Sequence, residues 1–291
     1  MITEGGGWRS LLFVPAVRPD RFAKAEASGA DAVCVDLEDA VEPGLKDQAR
    51  LEAMRFLTAG SPARDRAEAC DRVVRINSIR SEAGLRDLLA IVEARPREGT
   101  IAVPKIESPE ELRWIDELLT GAGLDLRVVA QIETLRGIDK ATAIAAASPR
   151  VAAIMFGGLD LAAELGVSAS WDALLYGRSR VVHGAAQAGL PAIDMPFVDV
   201  KDEEGCRQEA RKALALGFSA KMAIHPSQVP IINGAFTPTP QAVAEARRVV
   251  AALEQAAGGV ILLDGRMIER PIVLAMQRVL ARTRSTPTDQ G

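Results

Sequence analysis

The chain has 291 residues, 48% of them hydrophobic and 25% charged, with a formal net charge of −4. That length can bury one large α/β core, and the composition is ordinary for a globular protein in water. The mild acidity argues against a nucleic-acid partner bound by overall charge, and no apolar stretch reaches the roughly 18 residues that a bilayer requires, so no membrane partner is expected. Met1–Gly7 has no basic segment followed by an apolar one, as a signal peptide would. Cys34, Cys70 and Cys206 lie far apart without metal spacing and read as reduced thiols of a cytoplasmic protein. His183 and His225 are the only imidazoles, so no structural zinc site is expected.

Eight short, apolar, β-branched runs follow one another: Arg9–Ala16, Ala32–Asp36, Arg72–Asn77, Thr100–Lys105, Leu126–Glu133, Val151–Phe156, Pro191–Met195 and Ala220–His225. They are nearly continuous in hydrophobicity, the pattern of parallel strands buried on both faces. Helical signals lie between them. Ser108-Pro109-Glu110-Glu111 offers an N-cap, proline at the first helical position and a glutamate three residues on, with Leu112, Ile115, Leu118 and Leu119 on one face. Ser170-Trp171-Asp172 opens another helix, and Glu203–Leu216 and Pro240–Ala257 are also helical in period. This alternation predicts a (β/α)8 barrel over residues 1–230. A doubly wound sheet is the main alternative, but no G-x-G-x-x-G follows the first strand. Residues 231–291 break the alternation. They predict a helical, lid-like extension with a short hairpin around Gly258–Arg266, a last helix from Pro271 and a disordered polar tail from about residue 284.

The candidate chemistry sits where the runs stop, because a barrel of this kind works at the carboxyl ends of its strands. After the first run, Arg18, Arg21 and Lys24 repeat every three residues and could receive phosphate groups, or simply form a solvated face. The second run ends in Asp36, Glu38 and Asp39, which could orient basic side chains or metal-bound water from behind the ligands, or form a surface turn. Arg75, set among apolar neighbours, reads as a clamp for a substrate carboxylate, with an ion pair to a neighbouring strand's acid as the alternative. Lys105 could be a Schiff-base lysine or a supporting cation. Glu133 and Asp160 each end an apolar run in consecutive units; two carboxylates with open positions suit a hard cation, Mg²⁺ with Mn²⁺ as the variant. Gly157 and Gly158 just before Asp160 let backbone approach an oxyanion closely, and Asp160 could alternatively cap the segment after it. His225 precedes a proline at the eighth strand and reads as structural more readily than as a base.

Taken together, the motifs R-S-L-L-F-V-P-A (9–16), D-A-V-C-V-D-L-E-D-A-V (31–41), R-I-N (75–77), P-K-I-E (104–107), Q-I-E-T (131–134), F-G-G-L-D-L (156–161) and A-I-H-P-S-Q (223–228) resemble the citrate lyase β-subunit-like family of the aldolase and citrate lyase superfamily. The resemblance covers Arg9 to about Ala281. It implies a Mg²⁺-dependent barrel that cleaves or forms a carbon–carbon bond between a 2-oxoacid and a CoA- or carrier-linked acyl-thioester. It implies Glu133 and Asp160 as metal ligands, Arg75 on the substrate carboxylate, and Phe13, Arg21 and Lys24 against the CoA portion. It also implies a homotrimer or hexamer whose C-terminal segment closes over a neighbour's site. The family's lid reads G-x-M-I-D-x-P, with its aspartate as acid–base group; here Gly265-Arg266-Met267-Ile268-Glu269-Arg270-Pro271 carries Glu269, one methylene longer.

Overall fold

The structure is a computed structural model and describes residues 7–59, 70–256 and 259–283. Eight strands close a parallel barrel in sequence order: β1 (Ser10–Pro15), β2 (Ala32–Asp36), β3 (Asp71–Arg75), β4 (Thr100–Val103), β5 (Arg127–Ile132), β6 (Val151–Phe156), β7 (Ala192–Asp194) and β8 (Ala220–Ala223). β8 pairs with β1 through Ser10–Lys221, Leu11–Met222 and Leu12–Ala223, which leaves no free edge. A two-residue side-chain period sorts each strand into an inner and an outer face. Leu11, Cys34, Val73, Ala102, Val129, Met155, Ile193 and Met222 fill the barrel interior, and the alternate positions pack against the helices.

The helices between the strands are α1 (Phe22–Glu26), α2 (Lys46–Thr58), α3 (Glu82–Ala94), α4 (Pro109–Gly121), α5 (Leu135–Asp139), α6 (Ala141–Ala145), α7 (Gly158–Leu165), α8 (Trp171–Ala188), α9 (Glu203–Leu216) and α10 (Gln228–Phe236). α4 starts as its sequence predicts: the Glu111 carboxylate accepts from the backbone N–H of Ser108 at 3.0 Å and of Glu107 at 2.8 Å. α10 packs on β1, β8 and α9 and so covers the seam where the barrel closes.

Beyond it lie α11 (Pro240–Gln255), an antiparallel hairpin of β9 (Ile261–Leu263) and β10 (Arg266–Ile268), and α12 (Arg270–Thr283). The hairpin turns on Asp264 and Gly265, both with positive φ (49° and 75°), the conformation that a two-residue Asp-Gly turn needs. Val249, Ile268 and Val273 form a small core of their own, separate from that of the barrel. Positions 257–258, where the expected long helix meets the hairpin, and the tail from 284 lie outside the described residues. No described helix is long and apolar enough to cross a membrane.

Candidate active site

The carboxyl ends of β2 to β6 gather most of the residues singled out in the sequence. Asp36 and Arg75 are register partners on adjacent strands. The Arg75 guanidinium donates from Nε and Nη2 to the two oxygens of Asp36, both at 2.7 Å, and Nη1 lies 2.9 Å from Glu38 Oε2 and 3.6 Å from Asp39 Oδ2. The ion pair weighed as an alternative for Arg75 is therefore present. Its fork faces Asp36, and Nη1 and Nη2 each keep a further N–H. Phe13 lies beneath the guanidinium, 5.1 Å from carbon to ring centroid. Burial acts to lower the Arg75 pKa, but Asp36 and Glu38 outweigh it and the net shift is upward.

Lys105 follows β4 in a left-handed conformation, φ 55°. That turn aims its backbone N–H at Glu133 Oε1, 2.9 Å away, while its ammonium donates to Glu38 Oε1 at 2.7 Å and lies 3.8 Å from Asp160 Oδ1. Burial acts to lower its pKa, yet the hydrogen bond and charge of Glu38, with Glu133 and Asp39, raise it overall. A Schiff-base lysine needs a depressed pKa, so the environment argues for the supporting cation instead.

Glu133 is almost fully buried, 1% exposed. It lies two residues after Gln131, and the strand period puts both on the inner face. Gln131 Nε2 donates to Glu133 Oε2 in a short hydrogen bond, and Gln131 Oε1 is buried without a partner. Burial first, then the charges of Glu38 and Asp160, push the Glu133 pKa from the ordinary 4.5 up to about 8. Gly157 makes room for this carboxylate: a Cβ there would sit 2.2 Å from Glu133 Oε2. Gly158 makes room for Met195, whose Sδ would lie 2.3 Å from an added Cβ. Asp160 is half-buried in the first turn of α7 rather than at its cap.

The charges do not balance. Asp36, Glu38, Asp39, Glu133 and Asp160 form five carboxylates at this mouth, and the described cations among them are Arg75, Lys105 and Lys46. With all five ionised the mouth is two positive charges short, and Glu133, whose pKa burial and the neighbouring acids push up, is a carboxylate that added positive charge would stabilise. A hard divalent cation on Glu133 and Asp160 would supply that charge, and oxygen-only donors suit Mg²⁺.

The remaining candidates lie apart. Arg18 pairs with Asp20 at 2.7 Å at the start of a single 3₁₀ turn, Pro19–Arg21, and α1 is only five residues long, so the three basic residues share no extended helix face. Arg21 and Lys24 are exposed. His225 is exposed, with Nδ1 2.8 Å from Ser227 Oγ. Glu269 ends the hairpin, and its backbone carbonyl accepts from Ile272 and Val273 at the start of α12. Among the described residues no hydrogen bond or ion pair joins its side chain to the barrel mouth. Lys46 and Gln131 touch the site directly although the sequence motifs assign neither a role. For Gln131 the available signal was its place two residues before Glu133 on one strand.

Comparison with known proteins bears on this arrangement. The model of the HpcH/HpaI aldolase/citrate lyase family matches residues 9–226. The chain belongs to that family. Relatives within it are carbon–carbon lyases, and this chain is an enzyme of that class. It is 39% identical over 285 residues to a citrate lyase subunit beta-like protein of Mycobacterium tuberculosis (96% of this chain, 95% of that one). It is 31% identical to the mitochondrial citramalyl-CoA lyase of Mus musculus (94% and 85%) and 34% identical to a (3S)-malyl-CoA thioesterase of Cereibacter sphaeroides (97% and 96%). Among solved structures, the CitE protein of Mycobacterium tuberculosis in complex with magnesium, acetoacetate and coenzyme A matches with a TM-score of 0.77 at 34% identity, covering 98% of this chain and all of that one.

Proposed function

We propose that this enzyme is a Mg²⁺-dependent lyase acting on a 3-hydroxyacyl-thioester of the malyl-, citramalyl- or citryl-CoA type, releasing a 2-oxoacid and an acyl-thioester, or running in the reverse direction. The charge shortfall around buried Glu133 is the observation that carries this reading. Glu133 and Asp160 would hold the metal, which when bound supplies Lewis acidity toward the 2-oxoacid's oxygens. Arg75 meets the substrate carboxylate with the N–H groups that Asp36 and Glu38 leave free, and Phe13 keeps the guanidinium flat against the barrel wall. Gly157 and Gly158 let Glu133 and Met195 close in, so that the substrate rests on fixed groups. Phe13, Arg21 and Lys24 border the strand-one side and would meet the CoA moiety.

In cleavage the 3-hydroxyl gives its proton to a water molecule, its O–H electron pair closes the 2-oxoacid's carbonyl, and the C2–C3 bond breaks. Its electron pair passes to the thioester enolate, whose α-carbon then takes a proton. We assign that proton to Glu269 from a neighbouring copy, because in its own chain α12 and the hairpin pack on α11 and no hydrogen bond or ion pair among the described residues brings the Glu269 side chain to the mouth. This reading requires a homo-oligomer, a trimer or hexamer. A cytoplasmic location fits the cysteine usage.

The test is a panel of malyl-, citramalyl-, β-methylmalyl- and citryl-CoA with Mg²⁺, measuring released 2-oxoacid. Turnover should vanish in EDTA and in Glu133→Ala and Asp160→Ala; full activity in either case overturns the metal assignment. Free CoA without 2-oxoacid would instead mark a thioester hydrolase, the activity that the Cereibacter relative's name gives. Turnover only with a carrier-linked substrate would favour a subunit of a multi-chain citrate lyase. Cleavage of a 2-oxoacid aldol without CoA, surviving removal of the chain after about Gly258, would favour a class II aldolase.

A further inference from the structure

Lys46 opens α2, well away from the strand ends in sequence, yet its ammonium reaches into the mouth from behind. It donates to the carbonyl oxygens of Leu37 and Glu38, both at 2.6 Å, and to Asn77 Oδ1 at 2.7 Å. Those three bonds use all three of its protons. The third acceptor is itself fixed. Asn77 donates from both its backbone N–H and its Nδ2 to Asp87 Oδ2, at 2.8 and 2.7 Å, which requires Oδ1 to face Lys46. Asp87 is fully buried and receives Arg50 Nε at 2.6 Å on its other oxygen. A chain of charged and amide groups thus runs from the helix layer to two consecutive carbonyls of the turn after β2.

That turn carries Glu38. Its carboxylate spans the two cations of the mouth, with Oε1 2.7 Å from the Lys105 ammonium and Oε2 2.9 Å from Arg75 Nη1. Its backbone N–H is tied to Asp36 Oδ1 at 3.0 Å, and Asp36 holds the other edge of the Arg75 fork. With Lys46 removed, the Leu37 carbonyl would lose its donor and the Glu38 carbonyl would keep only the Val41 N–H at 3.2 Å, so the turn would move to regain what it lost. Arg75 and Lys105 would then lose the brace that sets their separation.

We infer that Lys46 is a positioning residue: it fixes the turn from which Glu38 holds Arg75 and Lys105 in place for the 2-oxoacid. This rests on the reading of the mouth as the substrate site. Groups that orient the residues touching a metal or substrate commonly matter by about 10- to 100-fold.

The experiment has three arms. Lys46→Met keeps the stem and removes the donors; it should lower 2-oxoacid release about 10- to 100-fold. The crystal structure of Lys46→Met should show the Glu38 carboxylate displaced from Arg75 and Lys105. Lys46→Ala deletes the equivalent of n-propylammonium, so n-propylammonium should restore turnover to this variant, whereas tetramethylammonium at equal ionic strength should not. A folded Lys46→Met enzyme with wild-type turnover and Glu38 in place overturns the inference. So does an Ala variant whose melting temperature, but not its turnover, recovers with n-propylammonium, since that outcome leaves Lys46 a purely structural role. Should the wild-type enzyme release no 2-oxoacid from any substrate, the functional reading fails, and the position of Glu38 in the Lys46→Met crystal still decides whether Lys46 sets the turn.

Discussion

Two charged clusters in this barrel use the same residue types to opposite ends. Behind β7 and β8, the Lys221 ammonium donates to Asp194 Oδ2 at 2.6 Å, Met195 O at 2.7 Å and Glu209 Oε1 at 2.8 Å. Arg178 Nε donates to Asp194 Oδ1 at 2.9 Å, and the guanidinium stacks on Trp171 at 4.4 Å. Two cations meet two carboxylates there, sealed between barrel and helices, and the account is neutral. At the mouth, five carboxylates meet three cations and the cluster opens to solvent through half-exposed Asp160 and exposed Asp39. The closed cluster balances its charge within itself, whereas the open one leaves room for the cation proposed for it. Residue type does not separate structural from functional charges here; balance and access do.

The largest expected effect tests the closed cluster. Lys221→Met leaves Asp194 and Glu209 buried beside a single cation, and breaking a buried pair in this way costs about 3–5 kcal/mol. Denaturant unfolding should register that loss with the barrel mouth unchanged. The matching change at the mouth, Glu133→Gln, should alter the stability of the metal-free protein little at neutral pH, since Glu133, its pKa pushed up to about 8, already holds its proton there. If both substitutions destabilise equally, the contrast fails.

A second prediction follows from the direction of the Glu133 shift. Its folded pKa, about 8, stands above the ordinary 4.5, so the folded state holds the proton more tightly than the unfolded state. That stability is fully present below pH 4.5 and is lost as the pH rises through 8. Without metal the loss should reach a few kcal/mol, seen as a melting temperature that falls across that window. Mg²⁺ should remove most of the slope. A flat profile in EDTA would place Glu133 in a compensated environment.

The smallest effect tests a single contact. Gly157→Ala brings a methyl group to within 2.2 Å of Glu133 Oε2, so the carboxylate must shift. Weaker Mg²⁺ binding by about tenfold is expected from calorimetry, with little change in the unfolding midpoint. Unchanged affinity would mean that Glu133 can move without cost to the metal.

Much of this was legible in the sequence because barrel strands buried on both faces advertise themselves as apolar runs, and charge at their ends stands out. Glu133, Asp160, Arg75, Glu38 and Lys105 all stand at such ends. The pairings were not legible. That Arg75 turns its fork to Asp36 depends on β2–β3 register, which neither strand's composition states. Lys46 escaped notice because it opens a helix, where a lysine is unremarked, and its partners are mostly backbone carbonyls that every residue has. The spacing of Arg18, Arg21 and Lys24 suggested one helical side. Pro19 instead starts a tight 3₁₀ turn, and Asp20 takes up Arg18.

The left-handed backbone at Lys105 has a consequence for how this mouth can change over time. A non-glycine residue there costs about 1–2 kcal/mol, and in return one residue serves two neighbours by separate means. Its side chain answers to Glu38, and its peptide N–H answers to Glu133. Mutation can rewrite the first of these contacts but, short of proline, leaves the second untouched. The anchoring of the buried glutamate is therefore inherited from the shape of the chain, while the cation beside it stays open to drift, so lineages of this fold could retune the pocket without surrendering its floor.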